Sequence, residues 1–419
     1  MLKIMRFGVL SLMALLLAAM TARAGGLYLY EIGSPDVGLA AAGYAARAQD
    51  ASTAFTNPAG MTRINQPSVM AGAQPMYLNI DFSADSNTTV TGGNGDSNGW
   101  MPAGGLFYVQ PVGDRLALGL AMTGYFGLAL NYQNDWVGRY YVQNTTMQAA
   151  AIQPAIAWKA NDHFSLGAGV AVLYGMFEDK LAINRSLDAL ADGQLKLEDE
   201  DWAAQLNLGA LYEPIQGTRI GLTYLSKADL DFSDQADVSG FGDSLTGILG
   251  LGSRDIDLGI TMPQAVMFSA YHELHEGLAL LANVGWQDWS EFGKVDVAVT
   301  DTLIDLTTDL DYQDTWHGAL GIQYRISEPL MLTTGMAYDS AMMDEEDLGP
   351  SLPVGEQWRF ALGGLYDWSQ DLTLGAAYEL VWTGDLDMDV ERGPLAGRVS
   401  GTYENEAIHV VSLNAAWRF

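Results

Sequence analysis

Val411-Ser412-Leu413-Asn414-Ala415-Ala416-Trp417-Arg418-Phe419 ends the chain with a two-residue period. Val411, Leu413, Ala415, Trp417 and Phe419 fall on one side, and Ser412, Asn414, Ala416 and Arg418 on the other. Side chains of an extended segment alternate between faces, so this stretch predicts a strand with one apolar and one wet face. The same split recurs upstream, where Leu372, Leu374, Ala376, Tyr378, Leu380 and Trp382 oppose Thr373, Gly375, Ala377 and Glu379. A soluble sandwich and a membrane barrel both produce such alternation, and loop asymmetry separates them, because a barrel joins short turns on one rim to long loops on the other.

Tight connections fall at Val112-Gly113-Asp114-Arg115, Asn161-Asp162-His163, Pro214-Ile215-Gln216-Gly217, His275-Glu276-Gly277, Ser327-Glu328-Pro329 and Ser369-Gln370-Asp371. Longer polar stretches lie between them, near Ser83–Met101, Asn131–Thr146, Arg185–Asp201, Ser233–Asp255, Asp288–Asp309, Asp339–Glu356 and Gly384–Glu404. Strands counted between these breaks number about fourteen, an even total that returns both chain ends to the same rim. The expected fold is therefore all-β, a transmembrane antiparallel barrel. Tyr108, Trp158, Tyr212, Tyr224, Trp286, Tyr324, Tyr366, Tyr378 and Trp417 sit near strand ends, where aromatic girdles meet the membrane surface.

Composition agrees. With 49% hydrophobic and 17% charged side chains the 419-residue chain is not disordered, and without cysteine it is not stapled by disulfides. Twenty basic residues against 51 acidic ones give a formal charge of −31, which excludes a basic face for nucleic-acid phosphates. Lys3 and Arg6 precede an apolar run from Phe7 to Met20, followed by Ala22-Arg23-Ala24, so residues 1–24 are expected to be a cleaved export signal. Its loss with Lys3, Arg6 and Arg23 lowers the charge by three, to −34. The expected address is the bacterial outer membrane.

About fourteen strands spaced ~4.8 Å apart and tilted enclose a cylinder of roughly 14 Å backbone radius, too wide for wall side chains to fill. Residues 25–65 precede the first strand and are expected to plug the lumen as a hatch, leaving 66–419 for the wall. The Ala-rich stretch Val37–Ala48 predicts a short helix, and Asn57-Pro58 predicts an extended break after it.

The run from Gly43 to Gly60, GYAARAQDASTAFTNPAG, resembles the hatch of the FadL long-chain fatty-acid transporter family, including its Asn-Pro-Ala signature. Trp136-Val137-Gly138-Arg139-Tyr140, Met262-Pro263-Gln264, Trp286-Gln287-Asp288-Trp289-Ser290-Glu291-Phe292, Asp314-Thr315-Trp316 and Leu352-Pro353 with Arg359 are similar to the same family. The resemblance implies a monomeric barrel in contact with outer-membrane lipid and lipopolysaccharide, passive uptake of hydrophobic molecules, capture on external loops and sideways release through a gap in the wall. Long-chain fatty acids are the first substrate class it implies. Uncharged or aromatic hydrocarbons are the alternative, because Gln313 stands where relatives can carry a basic residue and cations are few. Asn57, Pro58, Ala59 and Gly60 are the candidate gating bend. Phe241, Leu245, Ile248, Leu249 and Leu251 follow approximate helical spacing in a Gly-rich loop and are candidates for capture. Lys180 and Arg185 lie where relatives often carry basic residues, and are candidates for holding a carboxylate.

No Gly-x-Ser-x-Gly elbow accompanies the five histidines, so an outer-membrane lipid hydrolase is the disfavoured rival and no enzyme is expected. A structural barrel would need no hatch. His272-Glu273-Leu274-His275 has the wrong spacing for a zinc helix, the acid clusters read as solvated loops, and no metal or cofactor is expected.

Overall fold

The computed structural model describes residues 27–185, 190–235, 237–240, 255–299 and 305–419. The expected export signal and the capture residues Phe241, Leu245, Ile248, Leu249 and Leu251 lie outside the described residues.

Fourteen antiparallel wall strands close on themselves. The first four are β1 (Ser68–Ala73, continued by Met76–Asn79 and Asp81–Ala84), β2 (Gly99–Met101 and Gly104–Val112), β3 (Leu116–Asn131) and β4 (Asn144–Asn161). Next come β5 (Phe164–Ile183), β6 (Gly193–Ile215), β7 (Thr218–Leu225, continued by Ala228–Gln235) and β8 (Asp255–Met262 and Ala265–His275). The last six are β9 (Leu278–Gln287 and Lys294–Val299), β10 (Asp305–Asp309 and Thr315–Ser327), β11 (Leu330–Asp339), β12 (Gln357–Asp367), β13 (Leu372–Glu391) and β14 (Arg398–Arg418). Closure is made where β1 pairs with β14, Ser68 opposite Arg418, and on its other edge with β2. All six tight turns expected from the sequence join successive strands.

Alternation sorts the side chains as the terminal segment predicts. Leu118, Ile156, Val170, Leu206, Leu320 and Leu413 are exposed on the outer face. Such a continuous apolar belt would be intolerable in water and is the lipid-facing band of a membrane barrel. Exposed Trp158, Tyr212, Tyr324, Tyr366 and Trp417 ring its periplasmic edge, and Trp202, Trp316 and Trp382 its outer edge.

Two sequence expectations need correction. Segments read as external loops continue as paired strands, with β6 starting at Gly193, β13 running to Glu391 and β14 starting at Arg398. Polar residues hide no strand from its neighbour once the wall rises above the lipid, because the ladder is made by backbone, not by side-chain polarity. The expected helix over Val37–Ala48 is also absent. Only Ser34–Val37 (α1) is helical, and the chain then turns with positive φ at Ala40, Ala41 and Gly43. Most of its amides close successive tight turns on carbonyls three to five residues back, and those of Gly43, Tyr44 and Ala45 reach side chains of the wall, as described next. Two further short elements complete the hatch, a helical turn Thr53–Thr56 (α2) and a 3₁₀ segment Pro58–Arg63.

Candidate functional site: the hatch, the lateral gap and the lumen

Asn57 is buried and extended (φ −157°, ψ 100°), as the following proline requires. Its side chain joins three pieces of chain. The amide oxygen accepts from the Ala59 N–H at 3.0 Å, capping the 3₁₀ segment, while the amide nitrogen donates to the Ala45 carbonyl in the hatch (2.6 Å) and to the Ala210 carbonyl of β6 (3.1 Å). Wall glycines make room for the bend. A Cβ on Gly209 would overlap the Asn57 amide, and one on Gly167 would overlap the Pro58–Ala59 peptide. Pro58, Ala59 and Gly60 are likewise buried.

The rest of the hatch is tied to inward-facing polar residues of the wall, which sequence reading missed. Asn283 accepts from Gly43 N–H (2.7 Å) and donates to the Ala41 carbonyl (2.5 Å). Ser269 accepts from Ala45 N–H, Arg219 Nε donates to the Ala46 carbonyl, and Gln153 and Asn207 donate to the carbonyls of Ala54 and Phe55. These bonds satisfy backbone groups that have no helix to satisfy them. A lone Asn or Gln on the wet face of a strand, as Asn283 within Leu280-Leu281-Ala282-Asn283-Val284, was the available signal. Within the hatch, Arg47 is paired with Asp36 (3.1 Å) and Asp50. Burial pushes the Asp36 carboxyl up to about 6 against the pull of Arg47. Burial also opposes ionisation of Asp50, but Arg47 and the Ser52 hydrogen bonds outweigh it and hold Asp50 below the usual range.

Above the hatch, Arg359 of β12 forms a buried cluster with three carboxylates. Its guanidinium contacts Glu31 of the N-terminal segment, Asp339 (2.7 Å) and Glu379 (3.4 Å), and His317 completes the group at 2.7 Å from Asp339. The Tyr30 ring lies 4.4 Å from that of His317. Beside this cluster is a small cavity lined by Tyr28, Tyr30, Tyr44, Phe55, Met267 and Trp286. Burial pushes the three tyrosine hydroxyls well above their ordinary range, so the lining is neutral.

The wall is interrupted between β2 and β3. The β2–β3 ladder runs only as far as Gly105 opposite Thr123, and β3 carries a bulge between Gly124 and Phe126. Past that point the edge of β3 facing β2 is occupied by the chain's own N-terminal segment. Leu29 N–H donates to the Tyr125 carbonyl (2.9 Å), Gly127 N–H to the Leu27 carbonyl (3.1 Å), and Tyr28 bridges to Phe126. Glu31, bound to Arg359, lies two residues beyond this seal. Lys180 and Arg185 are not brought to the hatch. They stand at the outer end of β5, where Lys180 opposes Lys196 and the Arg185 guanidinium donates to the Gly240 carbonyl.

A lipid-facing barrel, a hatch bonded into its lumen and a wall gap sealed by the chain's own N-terminus define an outer-membrane transport barrel. Residues 15–419 match the family described as outer membrane protein transport protein (OMPP1/FadL/TodX), and the chain belongs to that family. It is 26% identical over 403 residues to the long-chain fatty acid transport protein of Escherichia coli O6:H1, covering 87% of this chain and 89% of the relative. The fold is similar to that of a Pseudomonas aeruginosa FadL homologue (TM-score 0.84, 21% identity, 94% of this chain and 100% of the other). It is also similar to that of the Ralstonia pickettii toluene transporter TbuX (TM-score 0.69, 16% identity, 93% and 99%).

Proposed function

We propose that this outer-membrane transporter of hydrophobic compounds passes small uncharged molecules, aromatic hydrocarbons among them, from its outer rim through the tyrosine-lined cavity and out sideways between β2 and β3. The observation that carries the choice of substrate is the Arg359 cluster. A fatty-acid carboxylate needs a cation in the lumen; the Arg359 guanidinium already faces three carboxylates, and Arg219 lies over the Tyr271 ring with its Nε given to the Ala46 carbonyl. Burying one more carboxylate among acids that already compete for a single guanidinium costs several kcal/mol. A neutral hydrocarbon needs no counter-ion and gains about 0.8 kcal/mol for each carbon group it buries. The gradient across the membrane supplies the direction, so no energy source is required.

Release sideways follows from the seal. Leu27–Leu29 covers an unpaired strand edge with only a few backbone bonds, and moving it opens the lumen to the bilayer. The bend at Asn57-Pro58-Ala59 keeps the axial path closed meanwhile, which is its gating role. Long-chain fatty acids are the second reading, favoured by the relative from Escherichia coli. Uptake by cells expressing the protein distinguishes the two: toluene uptake should saturate and resist excess oleate, whereas oleate uptake abolished by Arg359→Met in a correctly inserted barrel that still takes up toluene would favour fatty acids.

A further inference from the structure

We propose an entrance for hydrophobic molecules in the wall itself, a lapped seam between the outer parts of β6 and β7. This rests on the passage of hydrophobic molecules proposed above. The two strands are joined by a regular ladder below, where Asn207 opposes Leu225, and again above, where Gln194–Lys196 opposes Asp237–Ser239. Between these points, past one further bond from Ser226 N–H to the Leu206 carbonyl (2.9 Å), no backbone ladder joins the described residues. Carboxylates replace it: the N–H of Asp231 donates to Asp201 (2.8 Å), that of Ser233 to Asp199 (2.6 Å), and that of Glu198 to Asp234 (2.9 Å).

The packing shows how the strands lie. Leu230 of β7 reaches past β6 to β5, where a Cβ on Gly175 would stand 2.8 Å from it. Phe232 lies against Phe177 of β5, with ring centroids 5.5 Å apart. Gly175 and Phe177 are themselves opposite Asp201 and Asp199. The outer part of β7 therefore overlaps the inner face of β6 instead of standing beside it, and the aspartates between them point up to its edge.

This overlap is one border of a separate lobe. The outer parts of β7, β8, β9 and β10 form their own four-stranded sheet. Three of its four strands leave the barrel at short interruptions, Ser226-Lys227, Pro263-Gln264 and the helical turn Trp289–Phe292. Between the two ladders the border is held only by solvent-exposed side-chain bonds, and such a stretch is cheaper to part than a ladder of backbone bonds, because water replaces carboxylate acceptors readily. Parting it uncovers Leu230, Phe232 and Phe177, an apolar surface just above the Tyr174–Trp202 pair at the outer lipid boundary. The carboxylates on both lips repel anions, so the molecule admitted is neutral.

The chain has no cysteine, so introduced thiols react alone. Asp201→Cys with Asp231→Cys would be bridged by a short bifunctional methanethiosulfonate in proteoliposomes. Ala204→Cys with Val172→Cys, on the regular β5–β6 ladder, is the control pair. Toluene uptake should fall at least tenfold on bridging the seam, recover with reductant, and be unaffected by bridging the control. Spin labels on the seam pair should give a distance distribution that lengthens when toluene is added. Uptake undiminished by the bridge, or a single distance unchanged by toluene, would overturn the entrance. Absence of toluene uptake in the unmodified protein, with a seam that still opens, would overturn the proposed substrate and the seam's role as its entrance together. Oleate uptake stopped by the same bridge would keep the entrance and reject only the substrate.

Discussion

Replacing Asn57 by Ala tests the hatch most sharply, because one side chain supplies three bonds to three segments. The substitution leaves the Ala59 N–H without its cap and the Ala45 and Ala210 carbonyls without a donor. Asn57 is 1% exposed, so water does not take its place at once. A lost net hydrogen bond costs about 0.5–1.5 kcal/mol and a buried group left unpaired about 1–3 kcal/mol, which together put the loss near 2–4 kcal/mol of hatch docking. At 1.4 kcal/mol per decade the open-hatch population rises about 30- to 700-fold. The wall ladders are untouched, so the barrel should keep its unfolding midpoint in detergent. The assay is leakage of a small sugar from proteoliposomes, read with amide exchange across residues 34–63. Gly209→Ala should have the same effect without altering Asn57, since its methyl overlaps the Asn57 amide. Wild-type leakage together with wild-type exchange protection in Asn57→Ala would refute the view that this bend holds the hatch.

Two further outcomes follow from the buried charges. Burial raises the folded-state pKa of Asp36 to about 6 from 3.8, so its contribution to hatch stability is fully present below the unfolded value and is lost as pH rises through the folded one. Protection of the amides at Asp36–Gly38, corrected for intrinsic exchange, should therefore fall by up to about 3 kcal/mol between pH 4 and pH 8. Asp36→Asn should flatten the profile, and a flat profile in the unmodified protein would contradict the assignment. Asp50, whose pKa is lowered, contributes above its unfolded value and does not vary in the upper part of that window. Arg359→Met leaves Glu31, Asp339 and Glu379 buried without their cation and should cost about 3–5 kcal/mol, seen as a lower unfolding midpoint in detergent. Adding Glu31→Gln should recover part of it, and an unchanged midpoint in the single variant would show that the cluster is not stabilised by Arg359.

The wall was legible because each of its signals is local. Alternation in Leu372–Trp382 and Val411–Phe419 depends on one strand meeting lipid on one side and water or the hatch on the other, and the tight turns carry Gly, Pro, Asn or Asp where a reversal needs them. The path of the chain through residues 34–63 was not legible. Its Ala-rich run has high helix propensity, yet Asn283, Ser269 and Arg219 supply competing bonds from strands more than 170 residues away. Tertiary partners of that kind outweigh propensity. The Asn57-Pro58 break was readable because proline constrains its neighbour locally, whereas the glycines at 167 and 209 that seat it look like any strand glycine until the hatch is in place. Arg359 was visible only as a shared residue, since its three carboxylates come from Glu31, Asp339 and Glu379, far apart in the chain. The lapped border of β7 could not be read at all, because Asp199 and Asp201 look like loop acids.

Sideways release is tested most directly by locking the seal. Tyr28 and Phe126 face each other as an antiparallel bridge, and cysteines placed there in this cysteine-free chain can be joined and released at will. Toluene uptake into proteoliposomes should drop to the level of protein-free vesicles when Tyr28→Cys/Phe126→Cys is oxidised and return when it is reduced, with sugar leakage low in both states. Uptake equal in the oxidised and reduced protein, with the cross-link verified by mass spectrometry, would contradict passage through the gap between β2 and β3.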